Sequence, residues 1–144
     1  MIRNILLPTD FSDNAWSAIV YALKLFTAEK CTIYFLHSYK IEASRMSSLS
    51  NKLGEVMHKN AAKDLKELQR LAKIYDANSN HEFKTLLSNE AIDDAIVRAI
   101  KDYGIDLVVM GTKGATKAKE ILFGSNTVKT IRTLKHLSSY SHSK

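Results

Sequence analysis

The sequence has almost no cysteine and no long apolar stretch. Cys31 is the only cysteine among the 144 residues, which excludes a disulfide framework and makes a cysteine-based zinc site a poor explanation of the chain. No segment approaches the roughly 18 consecutive apolar residues of a membrane helix. The opening sequence from Met1 to Asn4 also lacks the pattern of a signal peptide. We therefore expect a cytoplasmic protein that does not enter a membrane.

Several motifs that bind or transfer phosphate are missing as well. No Walker sequence ending in Gly-Lys-Ser or Gly-Lys-Thr is present, which disfavours a P-loop motor or kinase. A phospho-receiver domain would need an acceptor Asp at the end of the third strand, where this chain has Leu86-Leu87. An adenylating enzyme would need a Ser-Gly-Gly-rich loop after the first strand, where this chain has Pro8-Thr9-Asp10.

Positive charge is concentrated in the last quarter of the chain. The net charge is +6, yet residues 1–110 carry 14 basic and 14 acidic side chains. The excess therefore follows Gly111, where only Glu120 opposes the basic residues Lys113, Lys117, Lys119, Lys129, Arg132, Lys135 and Lys144. Such a local field attracts phosphate. It would also attract nucleic acid, but few aromatic residues are interleaved with the lysines, and we expect no specific nucleic-acid binding.

Apolar runs alternate with helical apolar stripes along the chain. Strands are predicted at residues 2–7, 31–36, 81–87 and 105–110, and a polar loop at 40–50. Helices are predicted from about Ser12, over residues 53–75, between a Ser88-Asn89 cap and Gly104, and over 125–134. This alternation predicts an α/β fold with a parallel sheet and right-handed crossovers.

A glycine-rich segment follows the fourth strand. Gly111 and Gly114 lack a Cβ atom, so the backbone there can adopt positive φ and bring its N–H groups close to an anion. Gly124 and Ser125 then begin the next helix, whose first N–H groups have no partner within the helix. The segment is typical of a phosphate-binding loop.

Three polar segments are predicted to meet at one edge of the sheet. Thr9 and Asp10 follow the first strand, His37 and Ser38 end the second, and the glycine segment follows the fourth. Ligands of such sheets bind outside the carboxyl ends of the strands. Asp10 there could contact a ribose or help to hold Mg²⁺, or it could cap a helix. We expect His37 to be partly buried and hydrogen-bonded rather than a metal ligand.

These motifs together resemble the universal stress protein family, in its ATP-binding branch. The matching sequences are Ile-Leu-Leu-Pro-Thr-Asp-Phe-Ser at 5–12, Leu-His-Ser at 36–38, and Val-Met-Gly-Thr-Lys-Gly at 109–114, followed after nine residues by Gly-Ser at 124–125. The resemblance covers residues 1–135 as one domain. It implies a three-layer, doubly wound parallel sheet of the adenine nucleotide alpha hydrolase type, in strand order 3-2-1-4. It implies an ATP site in which Asp10 contacts the nucleoside and Ser38 meets adenine through its backbone. The implied nucleotide-binding residues are Pro8, Thr9, Asp10, Ser38, Met110, Gly111, Gly114, Gly124, Ser125, Asn126 and Thr127.

The resemblance also implies a homodimer and a regulatory role in the response to stress. One feature of the family has no counterpart, because residues 136–144 form a serine-rich tail in place of the usual fifth strand, which often pairs across the dimer. We expect this tail to be mobile. Three alternatives stay open at this point. The first is a slow ATPase in which Asp10 and Thr127 hold Mg²⁺, the second is an adenylating enzyme on the same fold, and the third is a basic protein that interacts with nucleic acid.

Overall fold

The computed structural model describes residues 1–39, 48–111 and 119–123. In chain order its elements are β1 (Arg3–Pro8), α1 (Asp13–Leu25), β2 (Cys31–Ser38), α2 (Ser48–Tyr75), β3 (His81–Ser88), α3 (Ile92–Tyr103), β4 (Leu107–Gly111) and β5 (Lys119–Phe123). None of the described helices is long and apolar enough to cross a membrane.

The first four strands form a parallel sheet in the order 3-2-1-4. β1 lies at the centre and pairs in parallel with both β2 and β4, while β3 pairs in parallel with the other side of β2. The two central strands are apolar on both faces, as is usual for parallel strands covered by helices on each side. The predicted fold class and strand order are therefore confirmed.

Helices cover both faces of the sheet and give the three layers. On one face, α1 and α2 enclose a core that includes Ile19, Leu65 and Phe35. On the other face, α3 packs Ala95 and Ile96 against side chains of the central strands. Side chains of a strand alternate between the faces, so Phe35 belongs to the first core and its neighbours Tyr34 and Leu36 to the second.

A fifth strand differs from our expectation for the glycine segment. Residues 119–123, which we predicted to lie in a loop, form β5 and pair antiparallel with β4, with Leu107 opposite Phe123. The sheet thus has five strands, in the order β3-β2-β1-β4-β5. The pairing satisfies backbone groups along the edge of β4 that would otherwise stay unpaired. The expected helix at 125–134 and the tail at 136–144 lie outside the described residues.

Two helix starts also differ from the sequence prediction. Helix α2 begins at Ser48, within the segment expected to be a loop, because serine costs only a fraction of a kcal/mol in a helix. Helix α3 begins after Ala91, which forms no side-chain cap. Ser88 does not cap this helix, since its hydroxyl oxygen accepts the N–H of Glu90 within the preceding loop. The predicted end of α3 at Gly104 is confirmed, with φ of 58°.

Candidate functional site

A cleft opens at the carboxyl edge of the sheet, between the ends of β1, β2 and β4. Its volume is about 260 Å³. It is lined by Pro8, Thr9, Asp10, Ser12, Asn14, Ala15, His37, Ser38, Ile92, Met110 and Gly111. The three segments that the sequence analysis assigned to one crevice therefore do line the same cleft.

The turn after β1 is held by its own side chains. The hydroxyl oxygen of Thr9 accepts the N–H of Phe11 at 3.0 Å, and a carboxylate oxygen of Asp10 accepts the N–H of Ser12 at 3.0 Å. Ser12 is the N-cap of α1, and its hydroxyl oxygen accepts the N–H of Ala15 at 3.1 Å. These bonds fix Asp10 at the start of the helix, where its carboxylate orders the turn without itself capping α1.

Strand β2 contributes two side chains to the opposite wall. The Nδ1 atom of His37 donates to the carbonyl oxygen of Thr9 at 2.8 Å, and the hydroxyl of Ser38 donates to the carbonyl oxygen of Glu90. The first bond ties the end of β2 to the turn after β1. The second ties it to the loop that leads into α3. The expectation that His37 is partly buried and hydrogen-bonded agrees with this geometry.

Of the glycine segment, the structure describes only Gly111 and residues 119–123, and of these Gly111 lines the cleft. It does not adopt the positive φ that we expected; among the described glycines only Gly104 does so. Instead, a Cβ atom at Gly111 would lie 2.7 Å from Nδ2 and 3.0 Å from the carbonyl oxygen of Asn14. The absence of a side chain therefore lets β4 approach the first turn of α1 closely.

Two helices begin at the cleft. Asn14 and Ala15 belong to the first turn of α1, and Ile92 is the first residue of α3. Helix N-termini carry partial positive charge and unpaired N–H groups, which favour an anionic or strongly polar ligand. Among the described residues, Asp10 is the one carboxylate that lines the cleft, and it would repel a phosphate placed beside it. This part of the cleft therefore suits uncharged hydroxyl groups, which a carboxylate binds as an acceptor.

Six of the predicted nucleotide-binding residues line this cleft, namely Pro8, Thr9, Asp10, Ser38, Met110 and Gly111. The other five predicted residues, Gly114, Gly124, Ser125, Asn126 and Thr127, lie outside the described residues. Sequence reasoning missed Asn14 and Ile92, which we had not placed in the site. The sequence did contain a signal for these two residues. A helix that starts directly after the polar turn of a strand places its first turn at the carboxyl edge of the sheet.

The fit of the implied cofactors can be judged from the described lining. The volume of the described cleft lies just below the usual range of about 300–1,000 Å³ for small-molecule pockets. In size, the described cleft therefore suits a nucleoside better than a whole nucleoside triphosphate. No group of three or more His, Cys, Asp or Glu side chains gathers within the described part of the chain. A single carboxylate is nevertheless compatible with Mg²⁺ that is bound mainly by phosphates and water.

Comparison with known proteins matches nearly the whole chain to one family. The sequence model of the universal stress protein family matches residues 1–136. Universal stress protein MJ0577 of Methanocaldococcus jannaschii is 29% identical over 146 aligned residues, which cover 92% of this chain and 90% of that protein.

Solved structures lead to the same family. The structure of universal stress protein UspA from Lactobacillus plantarum superposes with a TM-score of 0.67 at 26% identity, over 90% of this chain and 88% of that one. A universal stress protein in complex with cAMP superposes with a TM-score of 0.51 at 18% identity, over 74% and 73% of the two chains. At that identity the second structure supports the fold alone.

Proposed function

The chain belongs to the universal stress protein family, and from this premise we propose that it binds an adenine nucleotide in the cleft and acts as a nucleotide-responsive regulatory protein. The observation that carries the proposal is the convergence of Asp10, Ser38 and Gly111 on one cleft at the carboxyl edge of a parallel sheet. That edge is the ligand-binding position of such sheets. The resemblance of the motifs at 5–12, 36–38 and 109–114 to the ATP-binding branch of the family supports the choice of an adenine nucleotide.

Each part of the nucleotide has a chemically matched part of the chain. The carboxylate of Asp10 accepts hydrogen bonds from ribose hydroxyls, and the backbone at Ser38 offers an edge for adenine. The resemblance assigns the phosphate contacts to the segment after Gly111, and residues 113–135 of that segment carry six basic side chains and one acidic side chain. Asp10 and the phosphates would together hold Mg²⁺, which supplies charge neutralisation when it is bound.

In this proposal the nucleotide acts through binding rather than through fast chemistry. A ligand that binds only one conformation stabilises that conformation by mass action. The cleft joins the ends of β1, β2 and β4 with the starts of α1 and α3, so an occupant would contact every layer of the fold. Nucleotide binding would thereby change the surface that a protein partner meets.

A thermal-unfolding titration with Mg-ATP, AMP, cAMP and GTP tests the proposal. Saturation at about 100 times the dissociation constant adds about 2.7 kcal/mol, which raises the midpoint by roughly 5–11 °C for a chain of this size. The rise should occur with the adenine nucleotides and not with GTP. No rise in a cooperatively unfolding sample, or equal rises with ATP and GTP, would contradict the proposal.

Alanine substitutions of two acidic residues test whether the nucleotide-induced rise in midpoint arises in the cleft. Asp10→Ala should reduce the nucleotide-induced rise in midpoint, because it removes the carboxylate that faces the ribose. Glu55→Ala is the matched control, since Glu55 is exposed on α2 and does not line the cleft. Equal effects of the two substitutions would indicate a general effect of charge and not a site.

We also propose that the chain forms a homodimer. The family resemblance supports a dimer, and β5 stands at the end of the sheet with no further described strand beside it. Such an edge pairs readily with a second strand. Sedimentation equilibrium should give twice the mass of the chain, and a monomer at micromolar concentration would contradict this proposal.

A further inference from the structure

A second depression lies between the two helices on one face of the sheet. We call it the α1–α2 groove. It has a volume of about 390 Å³ and is bordered by Phe11, Trp16 and Leu71 on its apolar side and by Asp13, Asp64 and Glu67 at its rim. It shares Thr9 and Ser12, in the turn after β1, with the cleft described above.

The floor of the groove exposes apolar surface that the fold leaves uncovered in the described residues. Phe11 is 37% exposed and Leu71 is 44% exposed. Trp16 is held in place by an edge contact with Tyr75, at 5.7 Å between ring centroids. Exposed aromatic and aliphatic side chains around a concave surface commonly mark an interaction site. The groove therefore offers preformed anchor positions.

Among the described residues, the charged side chains that line the groove are all acidic. Lys and Arg, although frequent elsewhere on α2, do not contribute to this described lining. Glu67 is paired with Arg70, whose Nε atom lies 3.0 Å from the carboxylate. Asp13 and Asp64 form no ion pair within the described part of the chain. An apolar floor beneath unpaired carboxylates is complementary to a segment that carries both an apolar anchor and positive charge.

We propose that the α1–α2 groove docks a basic segment of a protein partner, which places an aromatic or aliphatic side chain against Trp16 and Leu71 and basic side chains beside Asp13 and Asp64. The acidic rim repels nucleic acid and favours a peptide of this composition. The proposal concerns a surface outside the nucleotide cleft and does not depend on nucleotide binding.

Selection from a random peptide library displayed on phage tests this inference on the whole chain. The immobilised protein is used for selection and its Leu71→Ser variant for counter-selection. The enriched peptides should carry net positive charge and at least one aromatic or aliphatic residue. Failure to enrich any peptide, or enrichment of neutral or acidic peptides, would overturn the proposal.

Matched variants then locate the binding site. Fluorescence anisotropy with an enriched, labelled peptide should show binding at least about tenfold weaker to Leu71→Ser and to Asp64→Lys than to the unaltered chain. The controls Ile74→Ser and Glu55→Lys, on exposed positions of α2 outside the groove, should bind the peptide like the unaltered chain. Binding of the peptide to the α1–α2 groove should also weaken as the salt concentration is raised.

Two outcomes of these measurements would contradict the assignment. Equal loss of peptide binding in the groove variants and in the controls would show that the peptide binds by charge alone. Sedimentation that shows Leu71→Ser converting a dimer to a monomer would assign the groove to a second copy of the chain instead of a basic partner. Circular dichroism of every variant establishes that the comparison is made between folded proteins.

Discussion

The Nδ1 atom of His37 lies 2.8 Å from the carbonyl oxygen of Thr9 and joins the ends of two neighbouring strands. A carbonyl oxygen only accepts, so Nδ1 carries the proton and, in the neutral ring, Nε2 is the acceptor. The same ring packs against Phe11, with 4.6 Å between the ring centroids. His37 thus fixes the geometry of the turn that carries Asp10.

Gly111→Ala should destabilise the protein by about 1–3 kcal/mol, because the added Cβ atom would collide with the first turn of α1. The free energy of unfolding in urea measures the effect. Adding Asn14→Ala should recover part of the loss, since two of the three close contacts involve the side chain of Asn14 and one its carbonyl oxygen. Gly54→Ala, inside α2, is the control and should instead raise the free energy of unfolding by about 1 kcal/mol. An unchanged stability of Gly111→Ala would refute the close approach of β4 and α1.

Phe11 has a φ of 63°, in the left-handed region that side chains disfavour. Phe11→Gly and Phe11→Ala both remove the ring, so their difference isolates the backbone strain. We expect the glycine variant to be the more stable by about 1 kcal/mol, as measured by urea unfolding. Tyr21 is the control, because it lies within α1. At that position the alanine variant should be more stable than the glycine variant by a similar amount. The same order at both positions would show that Phe11 is not strained.

His81 joins three elements through two buried hydrogen bonds. Its Nδ1 atom lies 2.7 Å from a carboxylate oxygen of Asp76, and its Nε2 atom lies 2.9 Å from the carbonyl oxygen of Phe26. Replacement by Phe would leave the carboxylate and the carbonyl without this donor, at a cost of about 3 kcal/mol. Unfolding in urea should show this loss, and an added Asp76→Leu should restore part of it. A loss below about 0.5 kcal/mol would mean that the network contributes little.

Cys31 makes stability depend on pH in the alkaline range. Burial raises the pKa of its thiol above the ordinary value of 9.0, and the carboxylate of Glu29 adds to the effect. The folded state therefore holds the proton more tightly than the unfolded state. The contribution of this thiol to stability is complete below pH 9.0 and falls as the pH rises above that value. The difference in free energy of unfolding between the natural chain and Cys31→Ala, measured in urea, should change with pH only in this range. Parallel pH profiles of the two proteins would contradict the assignment.

The parallel sheet could be predicted from sequence because its information is local. Apolar runs such as 31–36 and stripes on the helices follow the periods of strand and helix, and Gly104 ends α3 as its lack of a side chain permits. The order of the strands followed from the family resemblance and from the rule for right-handed crossovers.

Features that depend on distant neighbours could not be predicted in this way. The strand at 119–123 is defined by the open edge of β4, and its own sequence is only five residues long and is followed by a glycine. The reason for glycine at position 111 lies in Asn14, which is nearly a hundred residues earlier in the chain.

The central claim is that an adenine nucleotide occupies the cleft at the carboxyl edge of the sheet, and a crystal structure of the protein grown with Mg-ATP tests it most directly. We predict electron density for adenine beside the backbone of Ser38 and for ribose within hydrogen-bonding distance of the carboxylate of Asp10. Density for the nucleotide elsewhere on the surface, or an empty cleft in crystals grown at saturating ATP, would contradict the claim.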